Sequence, residues 1–286
     1  MRPLLLIDTS VWIDIVRDAS DLRRLRRQGC AISLTDESVL ELVAGAAGAA
    51  ERGDSAAYEG CRAACGQAAA YSTVAMEPIG CHLARLIGLE HGPVLDLRSI
   101  VREVAESRTL TAFRSRFKKD ALDTWPVYRD AQRTRWRKSI TDALAGFGDN
   151  GVRIDRKQYG EMKSEPLSEG RRNLLRIEAE EVKIALEHPS RHTDEWIVNA
   201  LTPHLDVYLE FFREVCLDRF SGPHNDNERR VRFEDNDWND VAQWRYLQNG
   251  AVWVTNEKRW PRLAARTKYP DSIAHPSQVA SRDPAP

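Results

Sequence analysis

Short apolar runs and amphipathic stretches alternate at the start of the chain. Leu4–Ile7 is continuously apolar and Ala31–Leu34 nearly so, which is typical of strands buried on both faces of a parallel sheet. An Asp-Thr-Ser run at positions 8–10 follows the first strand and predicts a helix start, because each of these side chains can cap a helix. A second helix, capped at position 35 or 36, is expected to end near Gly45. Two strand–helix units so close together predict an α/β fold with a parallel sheet.

Helical patterns dominate from about residue 47 to residue 225. The predicted helices lie at roughly 56–70, 97–120, 127–146, 171–188 and 194–219. Pro203 interrupts the last of these and is expected to kink or split it, since proline cannot donate the helical hydrogen bond. Residues 146–169 are rich in glycine, aspartate, lysine and serine and predict a connecting loop.

A strand pattern returns near the end of the chain. Asp235–Asp240 predicts the start of a helix that ends at Gly250, and Ala251–Thr255 predicts a further buried strand. The tail from Pro270 contains proline, serine and aspartate and is expected to be disordered. We therefore expect an α/β core from residues 1–46 and 226–270, an all-helical insertion from residues 47–225, and a disordered tail from residues 271–286.

Composition narrows the class of protein. The chain has 286 residues, 42% of them hydrophobic, which is enough for a sizeable core. Its formal net charge is −1, so any surface that binds nucleic acid must be local. No apolar run is long enough to span a membrane, and the run after Met1 is too short for a secretory signal. Five cysteines without a C-x-x-C pair favour reduced thiols, and we expect a cytoplasmic protein without a membrane partner.

Acidic residues follow or flank the predicted strands. Asp8 and Glu257 come just after two of the strands, and parallel strands deliver such residues to one edge of a sheet. Glu41 lies in an apolar helical stretch, while Asp237 and Asp240 are three residues apart and share a helix face. Carboxylates that repel one another need a counter-charge, and Mg²⁺ or Mn²⁺ prefers oxygen ligands. The five acids therefore predict a site for one or two divalent ions.

Each acid also has an explanation that involves no metal. Asp8 could cap the following helix, Glu41 could pair with an arginine, and Asp240 could favour the positive end of its helix. Glu257 could be a surface loop residue. The metal hypothesis requires that the four chain segments that carry these acids come together in the folded protein.

These four segments together resemble the motifs of PIN-domain nucleases. They are Leu-Ile-Asp-Thr-Ser-Val at 6–11, Glu-Leu-Val-Ala-Gly at 41–45, Asn-Asp-Trp-Asn-Asp at 236–240 and Val-Thr-Asn-Glu at 254–257. The resemblance implies a three-layer α/β/α sandwich and a hydrolase, an endoribonuclease that needs Mg²⁺ or Mn²⁺ to cleave RNA phosphodiester bonds. It departs from the family at position 257, where many members have aspartate, and in the long insertion between the motifs.

The resemblance also implies roles for individual residues. Asp8, Glu41 and Asp240 would be catalytic metal ligands, and Glu257 or Asp237 would be the fourth acid. Ser10 and Thr255 would hold carboxylates or metal-bound waters by hydrogen bonds. A product with a 5′-phosphate and a 3′-hydroxyl fits this chemistry. The setting that the resemblance suggests is a bacterial toxin–antitoxin pair or a defence system, with an antitoxin or regulatory protein, and a second copy in a homodimer, as partners.

A basic stretch in the insertion predicts an RNA-binding surface. Residues 98–138 contain twelve basic and five acidic residues, a local excess of seven positive charges. Trp125, Tyr128 and Trp136 are interleaved and could stack on bases, or they could be core residues beneath a solvated helix face. The same helices could instead hold a protein partner. The nucleic-acid-binding candidates are Arg114, Arg116, Lys118, Lys119, Arg133, Arg135, Arg137 and Lys138.

Two other functions compete with the nuclease. A PIN-like fold that has lost catalysis could bind RNA or a protein through its basic helices. A phosphatase-like enzyme could use Asp8 as a nucleophile. That class expects a second acid two positions later, where Ser10 stands.

Overall fold

The computed structural model describes residues 3–92, 94, 96–118, 125–145, 152–153, 168–186, 191–220, 230–231, 235–248 and 250–281. Within these ranges the chain forms seven strands and fourteen helices. They are, in chain order, β1 (Leu4–Ile7), α1 (Thr9–Asp14), α2 (Ser20–Arg27), β2 (Ala31–Leu34), α3 (Asp36–Arg52), α4 (Ser55–Tyr71), β3 (Val74–Ala75), α5 (Ile79–Leu86), α6 (Leu97–Glu106), α7 (Leu110–Lys118), α8 (Trp125–Ala145), β4 (Val152–Arg153), α9 (Ser168–Ala185), α10 (Asp194–Leu201), α11 (Asp206–Phe220), β5 (Arg230–Val231), α12 (Asp235–Trp244), β6 (Ala251–Val254), α13 (Arg259–Ala264), β7 (Ile273–Ala274) and α14 (Pro276–Ser281).

Five strands form one parallel sheet in the order β3-β2-β1-β6-β7. The first strand of the chain is therefore the central one, with the late strand β6 beside it. The strands β4 and β5 form a separate antiparallel pair. The chain has an α/β fold with a parallel central sheet, as the strand–helix alternation predicts.

Successive residues of the central strands point to opposite faces of the sheet. On one face, Leu6 and Trp253 belong to an apolar cluster with residues of α5 and of α8 to α13. On the other face, Leu5 and Val252 belong to a second cluster with residues of α1 to α4, α6, α7 and α14. The sheet thus lies between two helical layers, consistent with a three-layer α/β/α sandwich.

The predicted starts of the first helices are confirmed, but one predicted end is wrong. The side chain of Asp8 caps α1, and Thr35 caps α3 by accepting a hydrogen bond from the backbone of Ser38. Helix α3 does not end near Gly45, because its following alanines and glycines continue the helix. It ends at Gly53, whose φ of 70° is the left-handed conformation that glycine adopts at low cost.

The helices predicted at 56–70, 127–146 and 171–188 correspond to α4, α8 and α9. The one predicted at 97–120 is two helices, and the hydroxyl of Ser107 bonds the carbonyl of Glu103 at the break. Pro203 does split the last candidate, into α10 and α11. Helix α5 and strand β3 were not predicted.

Two expectations about the outer parts of the chain are wrong. Residues 47–225 are not all helical, since they contain β3, which pairs with β2 in the main sheet, and β4. The tail is not disordered up to residue 281, because β7 is an edge strand paired with β6, and α14 packs against α2. Residues 282–286 and most of the predicted loop at 146–169 lie outside the described residues.

Among the helices of the described ranges, none combines the length and the apolar character that crossing a bilayer requires.

Candidate functional site

Two neighbouring strands end together at the carboxyl edge of the sheet. Strands β1 and β6 are parallel, with Ile7 paired to Val254. Asp8 and Thr255, which follow these residues, therefore leave the sheet side by side. Thr255 Oγ1 donates a hydrogen bond of 3.0 Å to Asp8 Oδ2. The prediction that these two strand ends meet at one edge is confirmed.

Four donors surround the carboxylate of Asp8, which is only 5% exposed. The Thr9 backbone N–H and Gln243 Nε2 donate to Oδ1 at 2.8 and 3.0 Å. Ser10 Oγ and Thr255 Oγ1 donate to Oδ2 at 2.5 and 3.0 Å. None of the four donors is charged, so they fix the orientation of the carboxylate without an ion pair. Asp8 caps a helix and also lies in the predicted site, and the two interpretations are compatible.

The sequence analysis missed Gln243, which is fully buried. Its Oε1 accepts hydrogen bonds from Trp253 Nε1 at 3.2 Å and from Ser38 Oγ at 3.4 Å. These two donors orient the amide so that its nitrogen faces Asp8. Gln243 lies three residues after Asp240 on the same helix, and this spacing on one helix face could have indicated it.

Glu41 joins the site through Thr9. The hydroxyl of Thr9 donates to Glu41 Oε2, while the backbone N–H of the same residue donates to Asp8. Burial raises the pKa of Glu41 from 4.5 to about 7, and the negative charge of Asp8 acts in the same direction. The hydrogen bond from Thr9 and the positive charge of Arg133 partly oppose this rise.

Asp240 lies in the same electrostatic neighbourhood and is 6% exposed. Burial raises its pKa well above 3.8, and the charges of Asp8, Glu257 and Glu41 raise it further. Trp260 Nε1 donates a 2.8 Å hydrogen bond to Asp240 Oδ2 and partly offsets the rise. The predicted acids are thus close enough to repel one another.

Arg259 is a positive charge at the edge of the site that was not predicted. It forms an ion pair with Asp237, which is fully buried, and its Nε is 3.3 Å from Glu257 Oε2. The same guanidinium is 3.8 Å from Asp240 Oδ2 and lies over the Trp260 ring, 4.0 Å from its centroid. Arg259 follows Glu257 by two residues, so a basic residue near the predicted acids was a signal in the sequence.

The arrangement has the charge that a divalent ion would balance, but it is not a closed cage. In the part of the chain that the structure describes, no three acid, histidine or cysteine side chains converge closely enough to form a ligand group by themselves. Mg²⁺ commonly binds through one or two carboxylates, several waters and a substrate phosphate. Carboxylate oxygens whose negative charges repel one another fit such an ion, with Asp8, Glu41 and Asp240 as the residues that could hold it. Glu257, with 38% of its side chain exposed, is more open than Asp237 as the fourth acid.

Several predicted RNA-binding residues are occupied elsewhere. Arg114 donates to the carbonyl of Ala50, and Arg116 pairs with Glu103 at 3.0 Å. Arg135 lies 3.7 Å from Glu181.

Two members of the basic stretch lie on the side of α8 that faces the site: Arg137 lies over the Trp238 ring, and Arg133 is within electrostatic reach of Glu41. Trp136 is 1% exposed and belongs to the core, which favours the core interpretation for this aromatic residue. Lys138 is exposed. Lys119 and the side chains of Lys118, Trp125 and Tyr128 lie outside the described residues.

No protein-family model matches the chain, and no curated protein or solved structure matches it either.

Proposed function

We propose that the protein is a PIN-like, metal-dependent endoribonuclease. The observation that carries the proposal is that Asp8, at the carboxyl edge of the parallel sheet, lies within electrostatic reach of both Glu41 and Asp240. The three come from separate segments, and burial together with the neighbouring negative charges raises the pKa of Glu41 and Asp240. Bringing these negative charges together destabilises the folded state, and an activity that requires concentrated negative charge would explain why the protein has this arrangement. RNA in the cytoplasm is the substrate that the resemblance suggests.

The residues of the chain would each do a defined part of the chemistry. Mg²⁺ or Mn²⁺, when bound, would polarise the phosphoryl group and lower the pKa of a coordinated water. Asp8 would hold the ion with its carboxylate fixed by Ser10, Thr255 and Gln243. Glu41 would release its proton as a cation enters and would then contribute a second carboxylate.

Asp240 would bind from the opposite segment, with Trp260 Nε1 limiting its rotation. Glu257 lies at the more open side, where it could orient a water that attacks the phosphodiester bond. Asp237 is fully buried against Arg259, and we assign it the structural role of holding that arginine.

One observation favours the second candidate, an inactive PIN-like module that binds RNA or a protein. Arg259 supplies a positive charge between Asp237, Glu257 and Asp240, and it could replace a metal ion there. A phosphatase-like use of Asp8 has less support, because Ser10 stands where that class has a second acid, and its hydroxyl donates to Asp8.

Cleavage of single-stranded RNA with and without Mn²⁺ tests the proposal. The wild type should cleave only with Mg²⁺ or Mn²⁺, and Asp8→Asn and Asp240→Asn should lower the rate by at least about a hundredfold. Glu51→Gln is the matched control, since Glu51 is an exposed acid on α3, the helix that carries Glu41. It should leave the rate unchanged.

Thermal unfolding gives a second measurement that does not depend on activity. Mn²⁺ should raise the melting temperature of the wild type and of Glu51→Gln, and it should raise that of Asp240→Asn much less. Cleavage that persists in Asp8→Asn, or a metal response that is equal in all variants, would contradict the proposal. An antitoxin or regulatory partner and a homodimer remain predictions from the resemblance.

A further inference from the structure

Helix α8 brings part of the basic stretch to the acidic site. Trp136 of α8 packs edge-on against Trp238 of α12, with ring centroids 6.0 Å apart. Arg137 lies over the Trp238 ring, 5.5 Å from its centroid, and Trp238 is the chain neighbour of Asp237. The same helix also packs against α3, which carries Glu41. Helix α8 therefore borders both helices that contribute acids.

Arg133 lies one turn before Arg137 on this face of α8. Its Nη2 is 3.3 Å from Asp130 on the same helix. Its Nη1 is buried and has no hydrogen-bond partner among the described residues. Helix α8 packs on α3, and the positive charge of Arg133 is close enough to Glu41 to favour its ionised form, so the guanidinium is within electrostatic reach of that carboxylate. Asp130 thus holds Nη2, while the buried Nη1 lacks an acceptor in a side chain that is 23% exposed and would have to turn outward to donate to a ligand.

An arginine in this position suits an anionic chain that must approach a cluster of acids. The carboxylates repel phosphate, so a substrate needs cations at the border of the site. Arginine binds a phosphate through two parallel N–H groups, whereas its burial without an acceptor is costly. Arg133 has such an unpaired donor, and a rotation of its partly exposed side chain would bring Nη1 to the surface and present it to a phosphate.

We propose that Arg133, with Arg137 one turn later on α8, binds a backbone phosphate of single-stranded RNA beside the carboxylate site. The inference rests on the proposed nuclease function, and it selects two of the eight basic residues that the sequence suggested. Arg114 bonds the carbonyl of Ala50, and Arg116 and Arg135 pair with Glu103 and Glu181 away from the carboxylate site, so these three are not assigned to the substrate.

Binding of a fluorescein-labelled single-stranded RNA of mixed sequence tests the inference. Fluorescence anisotropy is measured in EDTA, so that cleavage does not interfere, over a series of KCl concentrations. Arg133→Gln should weaken binding about tenfold, the lower end of what a charge-assisted hydrogen bond contributes. It should also reduce the slope of log affinity against log salt by about 0.7, which corresponds to one lost phosphate contact.

Two further variants separate charge, geometry and folding. Arg133→Lys keeps the charge and the pairing with Asp130, so the salt slope should be retained while part of the affinity is lost. Arg116→Gln removes an equal charge from a surface ion pair on α7 and should change neither quantity. Melting temperatures of all variants show whether the fold is intact.

The outcomes distinguish this inference from the proposed function. Equal binding by the wild type and Arg133→Gln, or an equal loss in Arg116→Gln, would overturn the inference even if the protein cleaves RNA. A wild type that binds RNA in an Arg133-dependent way but cleaves nothing would overturn the nuclease and support an RNA-binding module. Absence of RNA binding at low salt would overturn the inference and indicate a protein as the occupant of this face.

Discussion

The carboxylates of the site should destabilise the fold when no cation is bound, and Glu41→Gln tests this. Burial and neighbouring acids raise the pKa of Glu41 from 4.5 to about 7 in the folded protein, while the unfolded chain has the ordinary value. Between these two values the folded state therefore binds more protons than the unfolded state. Glu41 is an acid, and its pKa is higher in the folded state, so the free energy of unfolding falls as the pH rises through this range. The destabilisation by the ionised Glu41 carboxylate is absent below about pH 4.5 and fully present above pH 7.

The magnitude follows from the size of the pKa difference. Each pKa step corresponds to about 1.4 kcal/mol, so the rise to about 7 is equivalent to about 3 kcal/mol above pH 7. Glu41 is partly exposed, and solvent screening lowers this figure. Glutamine keeps an acceptor for the Thr9 hydroxyl but carries no charge. We expect Glu41→Gln to raise the free energy of unfolding by about 2 kcal/mol at pH 8, and by less than about 0.5 kcal/mol at pH 4.5.

Urea unfolding in EDTA at the two pH values measures this difference. The eight tryptophans of the chain provide the fluorescence signal. Glu51→Gln, an exposed change on the same helix, should alter stability by no more than about 0.5 kcal/mol at either pH. The reasoning would be refuted if Glu41→Gln destabilised the protein at pH 8, or if its effect were the same at both pH values. Added Mn²⁺ should reduce the difference in stability between Glu41→Gln and the wild type at pH 8, since we expect the wild type to bind the ion more tightly.

Three further changes test the packing around the site. Arg245→Met should destabilise the fold by about 3–5 kcal/mol in urea unfolding, because it leaves the buried carboxylates of Glu37 and Glu178 without their counter-charge. Replacing both glutamates with glutamine in the same variant should recover most of the lost stability. Gly80→Ala should lower the free energy of unfolding by about 1–3 kcal/mol and lower the melting temperature, because the alanine Cβ would lie 2.5 Å from the carbonyl oxygen of Glu181. An unchanged melting temperature would contradict the close approach of α5 and α9. Removal of residues 271–286 takes away β7 and α14 and should lower the free energy of unfolding by about 3 kcal/mol through lost apolar burial. A truncated chain as stable as the full one would instead support the original expectation of a disordered tail.

The central strands were predictable because burial on both faces makes their sequences continuously apolar. Strands β3 and β7 have two residues each, which is too short for any pattern to be visible. The end of α3 was predicted wrongly at Gly45, because glycine can either terminate a helix or allow a neighbouring helix to pack closely against it. Here a Cβ at position 45 would lie 3.1 Å from the Cys61 sulfur, so this glycine permits close packing of α3 on α4. The sequence near Gly45 does not show which of these two roles the glycine has, because the packing contact with Cys61 is visible only in three dimensions.

The acids of the site were predictable from a rule of topology, whereas their supporting residues were not. Parallel strands place the residues that follow them at one edge, and this rule locates Asp8 from the local pattern. Gln243 and Arg259 act through contacts with residues far away in the chain. The spacing of Gln243 from Asp240 and of Arg259 from Glu257 marks both as candidates, but it does not distinguish a buried partner of a carboxylate from an exposed side chain. Their identification required the three-dimensional arrangement.

The helical insertion is joined to the core through buried charge as well as through apolar packing. Arg245, which follows α12, lies 2.9 Å from Glu37 of α3 and 3.5 Å from Glu178 of α9, and all three side chains are fully buried. Trp136 of α8 donates to Glu178 at 2.8 Å and stacks with Arg245, whose guanidinium is 4.2 Å from the ring centroid.

Buried ion pairs add little net stability, but separating their partners is costly. Movement of α8 or α9 away from the core would leave charges uncompensated, so this network fixes the insertion in one position. The arginines of α8 are therefore held at a constant distance from the acids of α3 and α12. The proposed nuclease would need this rigidity to present a phosphate to a metal ion, and a flexible substrate-binding arm would not provide it.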